Sequence, residues 1–363
     1  MSRIAEIVVR RLKVPLTVPY KVSLRTFHDF EPLVAELRDS DGRSAWGEAE
    51  IHEGYGHETA ETGWAFCRRM APQLLGRTPA EAITFLSPAA AGDPHAASIL
   101  LSAAEALGDH PALRTDQPFS LPLLAPVHSM NPSRIADEVE TLLADGFRTL
   151  KVKVGFDLAA DLDRLESIQA AVAGRASLRL DANQAFSAKE GCDFATALDP
   201  QGIELFEQPC DKEDWAANAA VAAVSRVPVM LDESIYGLSD IDRAATIAGV
   251  GFVKLKLKKL GGMSRLIEGL ERIRALGMEP VLGDGTATEI GDWFEACAAL
   301  GHIRNAGEMN GFLKLETPLF EPPLPFAGGA IRVPRGYRPQ VDLKAVERFT
   351  VFRERFGRPD RPP

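Results

Sequence analysis

The chain reads as an α/β protein: a (β/α) TIM-type barrel of seven to eight βα units, preceded by a smaller α+β unit. Three observations point there. From about residue 121, strand-like and helix-like segments alternate with short connections, the signature of a parallel sheet that closes on itself. Several of the strand-like segments end in charged residues at near-constant spacing. The first ~115 residues instead place strands first and helices after. At 363 residues the chain suits a barrel of about 250 residues with an added module.

In order, residues 4–14 read as a strand, followed by a loop with Pro15, Pro19, Tyr20, Ser23, Thr26 and His28. Leu33-Val-Ala-Glu-Leu37 and Ser44-Ala-Trp-Gly-Glu48 flank Asp41-Gly42 and read as a hairpin. A polar loop from Glu50 to Thr59 leads into a helix ending near Gly76, and a second helix covers about 94–107. Residues 1–115 thus form the N-terminal unit. Barrel strands are predicted at 123–128, 149–154, 178–182, 203–207, 228–232, 252–257 and 279–282. Helices are predicted at 132–145, 158–173, 215–224, 239–248 (with Ser239 as its N-cap) and 263–276. The barrel domain spans 116–314. The proline-rich segment 315–363 is expected to be an extended tail packing back on the N-terminal unit.

Charge and cysteine usage narrow the function. With 41 basic and 51 acidic residues and no long basic cluster, nucleic acid and anionic membranes are not expected partners. Cys67, Cys192, Cys210 and Cys297 form no C-x-x-C pair, which fits reduced thiols. No signal-peptide core and no apolar run of membrane-spanning length is found, so a cytoplasmic location is expected.

The centre of the chain is Thr149-Leu-Lys-Val-Lys-Val-Gly155. Leu150, Val152 and Val154 alternate with Lys151 and Lys153, so in a barrel the apolar set faces the helices and the lysines face inward. Val253, Leu255 and Leu257 likewise face out, leaving Lys254, Lys256 and Lys258 inside. For Lys258 and Lys259, a salt-bridged surface strand is the expected reading. A buried lysine needs a chemical partner. Three intervening strands end in Asp181, Glu207 and Asp232, spaced 26 and 25 residues apart, with Lys256 another 24 on. One βα unit per step brings the acids together at one rim, where neighbouring strands lie about 4.8 Å apart. Such carboxylates need a cation, and an all-oxygen set suits Mg²⁺; zinc is disfavoured because no histidine or cysteine joins them.

Taken with Asp181-Ala-Asn183, Glu207-Gln-Pro209, Asp232-Glu-Ser234 and Lys256-x-x-Lys-x-Gly-Gly262, the lysine motif resembles the enolase superfamily, in its muconate lactonizing enzyme subgroup. The resemblance implies a Mg²⁺ (with Mn²⁺ as a substitute) held by Asp181, Glu207 and Asp232. It implies Lys153 and Lys256 as acid/base groups on opposite faces of a carboxylate substrate, and residues 1–115 as a capping domain. The mandelate racemase arrangement of a His-Asp pair is absent, since no histidine lies between His128 and His302.

The chemistry needs such a site. A proton α to a carboxylate is weakly acidic, and the dianion left by its removal needs a divalent ion. Lys153 must be neutral to act as base, and Lys151 beside it favours that form while offering an electrophilic contact to the substrate carboxylate. The segment Gly283-Asp-Gly-Thr-Ala-Thr-Glu289 departs from the Gly-x-Met-Leu-Glu common in relatives. It puts Asp284 on the rim, or simply in an Asp-Gly turn, and Ala287 where the usual acid stands. Asn183, Asp284, Tyr20, Thr26, His28 and Tyr55 are candidate substrate contacts, with Ser23 and His52 beside them. Racemisation or epimerisation is the leading reading. Cycloisomerisation (lactonising) or dehydration is the alternative on the same scaffold, and a non-catalytic binding protein is disfavoured by the buried lysines. Expected partners are a small carboxylate and further copies of the chain in a homo-oligomer.

Overall fold

The computed structural model describes residues 2–21, 26–53 and 56–357. Seven parallel strands run in sequence order around a barrel: Ala125–Val127, Thr149–Lys153, Ser177–Asp181, Ile203–Glu207, Val229–Leu231, Val250–Leu255 and Glu279–Leu282. The eighth position is filled by Gly307-Glu308. Gly307 forms a parallel bridge with Leu123, and the Glu308 amide donates to Leu282 O at 2.9 Å, so both edges of the sheet are satisfied. This segment is too short to register as a strand.

Side-chain parity follows from the pleat. Leu150, Val152, Val253 and Leu255 are fully buried against the surrounding helices. Inside, one end of the barrel holds Arg179, which donates to Glu204 and to Ala306 O. A layer of Leu205, Met230 and Val281 with Phe252 lies above it, and the charged residues lie at the opposite, C-terminal end. Helices Pro132–Ala144, Leu158–Val172 and Ala188–Ala197 start on Asn131, Asp157 and Ser187 side-chain caps. One start differs from expectation: the helix Leu238–Ala244 begins after Gly237, so Ser239 lies inside it rather than at the cap. The predicted strand 252–257 ends at Leu255, and a short helical turn, Leu257–Leu260, follows.

At the N-terminus, Ile4–Leu12, Leu33–Asp39 and Ser44–Ala49 form an antiparallel sheet whose outer edge is Thr350–Gly357, so the end of the chain pairs with its beginning. The tail also pairs Ala330–Val333 with Phe119–Pro122, at the entry to the barrel. The segment read as a loop around Tyr20 is a two-stranded ribbon, Val14–Lys21 against Thr26–Phe30. A helix Pro79–Leu86 that sequence periodicity did not mark lies between Ala60–Leu74 and Pro94–Leu107. That last helix is buried almost throughout, and its alanines and serines let it sit tightly against Ser44–Ala49. A side chain at Gly47 would come within 2.2 Å of Ile99 O.

The two units are joined by acids that terminate helices. Glu105 accepts from the amides of Met263 and Ser264, capping the helix Met263–Ala275, which has only Gly262 at its N-cap position. Glu48 accepts from Thr288 and Gly291 at the start of Glu289–Ala299. A carboxylate there satisfies orphan amides and meets the positive end of the helix dipole. Among the described residues, no helix is long and apolar enough to cross a membrane.

Closure of the barrel depends on Gly283, which has φ +142° and whose missing Cβ would lie 2.3 Å from the carbonyl carbon of Glu308. Gly283→Ala is expected to lower unfolding stability by about 2 kcal/mol or more in urea titrations. An unchanged midpoint would show that the eighth position yields without strain.

Candidate active site

The C-terminal ends of the barrel strands converge on one polar cavity. The register pairs Lys153 with Asp181 and Asp181 with Glu207 across neighbouring strands, and Asp232 directly follows Leu231 on the next. All three acids are buried to within 1 %. Gln208 orients the third of them: its side-chain oxygen accepts from the amides of Asp232 and Ser234, while its amide group donates to the Ser234 hydroxyl.

Lysines interleave with these acids. Lys151 Nζ lies 2.8 Å from Asp181, 2.9 Å from Glu207 and 2.9 Å from Glu308. Its three protons therefore go to protein carboxylates, and the residue also lines the cavity. Lys254 bridges Glu207 (3.1 Å) and Glu308 and reaches Asp232 at 3.7 Å. Lys153 donates to Asp181 (2.6 Å) and to the side-chain oxygen of Asn183, whose own amide group donates to Glu233. Lys256 donates to Asp232 at 2.9 Å. Lys258 and Lys259, read from the sequence as surface residues, are both buried. The helical turn after Leu255 carries them inward, Lys259 to Asp232 and Lys258 to Asp284, each at 2.6 Å.

The electrostatics follow from this interleaving. Burial alone would lower Lys151, but its three carboxylates push it well above the ordinary lysine value. Burial alone would raise Asp181 and Asp232, but the lysines hold both well below the usual carboxylate range. Glu308 is held at about 2 by Lys151 and Lys254 against the opposing effect of burial. Glu207 goes the other way, pushed up by burial and by Asp181 beside it. Glu308 escaped the sequence reading because it sits on the unrecognised eighth position. Lys254 was read as inward, but with no role.

On the cap side, Tyr20 and His52 line the cavity. Phe27 packs on both, with ring centroids 6.3 and 4.8 Å away. Thr26 and His28 flank Phe27 on the same strand, so the pleat turns them to the opposite, exposed face; they leave the set of candidate contacts. Ser23 and Tyr55 lie outside the described residues. Asp284 is both rim residue and turn: it lines the cavity, pairs with Lys258 and accepts from Thr286, while its carbonyl accepts from Ala287. His52 Nε2 lies 3.0 Å from the Thr286 hydroxyl, so the cap and the seventh strand meet here.

This barrel and cap recur in known proteins. Residues 134–338 match the Enolase C-terminal domain-like family. L-Ala-D/L-Glu epimerase of Bacillus subtilis (strain 168) is 30 % identical over 92 % of this chain and 94 % of its own. The chain belongs to the enolase superfamily. An o-succinylbenzoate synthase of Geobacillus stearothermophilus is 27 % identical over 97 % of each chain. The crystal structure of N-succinyl Arg/Lys racemase from Bacillus cereus ATCC 14579 superposes with a TM-score of 0.88 at 19 % identity, covering 97 % of this chain and 99 % of that one. The relatives include epimerases, racemases, o-succinylbenzoate synthases and a cycloisomerase, and this chain is an enolase-superfamily enzyme of the mandelate racemase/muconate lactonizing enzyme subgroup.

Enolase-superfamily enzymes generally use Mg²⁺. Among the described residues, no three histidine, cysteine, aspartate or glutamate side chains are grouped as a ready-made metal cage, because the rim carboxylates turn to lysines. The donor set nevertheless fits a hard divalent ion. It is all oxygen, Asp181 and Asp232 are held ionised, and the acids already converge on shared cationic groups.

Glu50, behind the cavity on the cap, gives a pH prediction. Its Oε1 accepts from the Glu31 amide, its Oε2 has no partner, and burial pushes its carboxyl from 4.5 up to about 8. A raised carboxyl favours the protonated folded form, so its stabilisation is complete below about pH 4.5 and is lost as pH rises through 8. Glu50→Gln is expected to flatten the fall in melting temperature between pH 5 and 8, retaining at least about 1 kcal/mol at the upper end. Parallel curves for the two proteins would exclude this role.

Proposed function

We propose that the protein is a Mg²⁺-dependent racemase or epimerase that removes and replaces the proton α to a substrate carboxylate. One observation carries this reading: Lys153 ends the second barrel strand and Lys256 follows the sixth, so the two stand four positions apart around an eight-position barrel, with Asp181, Glu207 and Asp232 on the strands between them. A planar carbanion held between the two lysines has one nitrogen over each face, which a one-carbon inversion requires.

A divalent ion held by Asp181, Glu207 and Asp232 would supply the charge that makes the α-proton acidic. The remaining work belongs to the chain's own groups. Lys153, as the amine, takes the proton from one enantiomer and Lys256 returns one from the other side; for the opposite enantiomer the roles exchange. Asn183 fixes Lys153 from the side and is itself anchored on Glu233. Lys151 and Lys254, tied through Glu308, hold Glu207 in place at the cavity wall. Tyr20 and His52 of the cap cover the cavity.

Two measurements test this. Asp232→Asn should bind Mg²⁺ at least about tenfold more weakly in isothermal titration, and equal affinity would remove Asp232 from the ligand set. Proton NMR in D₂O should show that Lys153→Ala stops α-hydrogen exchange from one enantiomer and Lys256→Ala from the other. Both should lose net turnover by about 10²-fold or more. If one lysine is dispensable for turnover to within about tenfold, two-base inversion is wrong and cycloisomerisation or dehydration, which need one essential lysine, takes its place.

A further inference from the structure

A second cavity, of about 310 Å³, lies where three parts of the chain meet: the cap strand Ser44–Ala49, the barrel helix Glu289–Ala299 and the tail from Tyr337 to Leu343. None of the residues lining it lines the active-site cavity. The volume is at the small end of the range for ligand pockets, whereas a junction packed like a protein interior leaves few voids larger than a water. Its body is apolar and mostly aromatic, made by Trp46, Ile290, Trp293, Phe294, Phe320 and Tyr337, all buried.

The walls are fixed without an occupant. Glu289 accepts from the amides of Leu319, Phe320 and Leu324, which ties the tail to the start of the helix. Tyr337 donates its hydroxyl to Pro322 O at 3.0 Å and stands edge-on to Trp293, with ring centroids 5.3 Å apart. On the cap side, the Arg10 guanidinium lies 5.1 Å from the centre of the Trp46 ring. A ligand entering here meets a preorganised surface.

The polar groups of the cavity give that ligand its class. Trp46 and Trp293 are only 8 % and 7 % exposed, yet among the described residues neither indole N–H has a hydrogen-bond partner. Neither nitrogen is sealed from solvent. An indole N–H is a donor only, so both call for an acceptor. At the mouth, Glu36 is taken up by Arg10 at 3.2 Å and by Arg38 at 3.0 Å, and Arg38 also reaches Glu6 at 3.1 Å. Arg338 on the tail is exposed and has no carboxylate partner among the described residues. The charged groups lining the cavity, Glu36, Arg38 and Arg338, thus leave one positive charge unmatched, on a fork that fits a carboxylate.

We infer that this cavity is a second binding site, for a small organic acid with a ring-sized apolar body. The body lies among the aromatic side chains, and Arg338 receives the carboxylate. The inference is independent of the chemistry at the barrel mouth, because the two cavities share no lining residue.

The probe is 3-phenylpropionate, titrated into the whole protein in EDTA so that no divalent ion draws its carboxylate to the barrel mouth. Tryptophan fluorescence reports binding, since two of the four tryptophans line the cavity, and calorimetry gives the affinities. 3-Phenylpropanamide keeps the body without the charge, and propionate keeps the charge without the ring. Each should bind at least tenfold more weakly than the acid. Arg338→Gln, at an exposed position, should bring the acid to within threefold of the amide and leave the affinity for the amide unchanged. Ser44→Phe, which adds a ring at an exposed lining position, should abolish the fluorescence response to both. No binding of the acid, equal affinity for acid and amide, or undiminished binding of the acid in either variant would each overturn the inference. If the acid does not bind and Arg338→Gln instead shifts the protein from oligomer to monomer in sedimentation, a neighbouring copy covers the cavity and the ligand site is excluded.

Discussion

Buried carboxylates on adjacent strand ends impose the constraint on which the rest of the barrel mouth depends. Asp181, Glu207, Asp232 and Glu308 are held within a few ångströms of shared lysine nitrogens and away from water. The effective cost of burying one such ion is several kcal/mol, so none of them is stable there alone. The barrel answers with lysines of the same inward parity, Lys151 and Lys153 on one strand and Lys254 on another, with Lys256 following it. Register, side-chain parity and the glycine that admits the eighth position all serve this one arrangement. A one-residue slip of either lysine strand would put the ammonium groups among the outer helices and the valines and leucines among the acids.

The charges sort into two zones. Inside the ring, opposite charges hold each other ionised: Lys151 is pushed up and Asp181, Asp232 and Glu308 down. Behind it, where the cap meets the barrel, burial prevails. Glu48 is raised to about 7 and Glu295 to about 8, although both accept backbone hydrogen bonds. The difference is the balance between ammonium groups in contact and the burial and neighbouring carboxylates that oppose them. Asp181, Asp232 and Glu308, each against two or more ammonium groups, are held low, whereas Glu207 between Lys151 and Lys254 is still pushed up by burial and by Asp181 beside it.

The sequence showed the barrel clearly because its strands are long enough to display alternation and its acids recur once per βα unit. Asp181, Glu207, Asp232 and Lys256 could be read from that period, whereas Lys153 came from strand alternation and the pairing of Lys153 with Lys256 from the family resemblance. What escaped had physical reasons. Glu308 lies on a closing segment with no periodicity of its own, bounded by glycines. Lys258 and Lys259 were read as a salt-bridged surface pair, but past Leu255 the backbone turns helical and carries both ammonium groups inward, to Asp284 and Asp232. Thr26 and His28 were taken with Tyr20 as one polar loop, but a two-stranded ribbon gives alternate residues opposite faces, and Phe27 is the one turned inward. The cap–barrel contacts were invisible for a different reason: nothing local in Glu48 or Glu105 signals that each ends a helix more than 150 residues away.

Those long-range caps support the rim at 283–289 separately from the lysine ring. Glu48 binds the first amides of the helix after the seventh strand, and Glu50 presents its carbonyl to Lys258, so the cap fixes this wall of the cavity from outside. The lysine ring is fixed separately, through Asp181, Asp232 and Glu308 within the barrel. Lys258 and Asp284 belong to the cap-supported wall, while Lys153 and Lys256 belong to the ring. Substitutions around Asp284 and Thr286 therefore act first on the cap-supported wall, while leaving the lysine ring where the barrel register places it. Separate mechanical support for the two walls lets one wall vary while the other keeps its geometry.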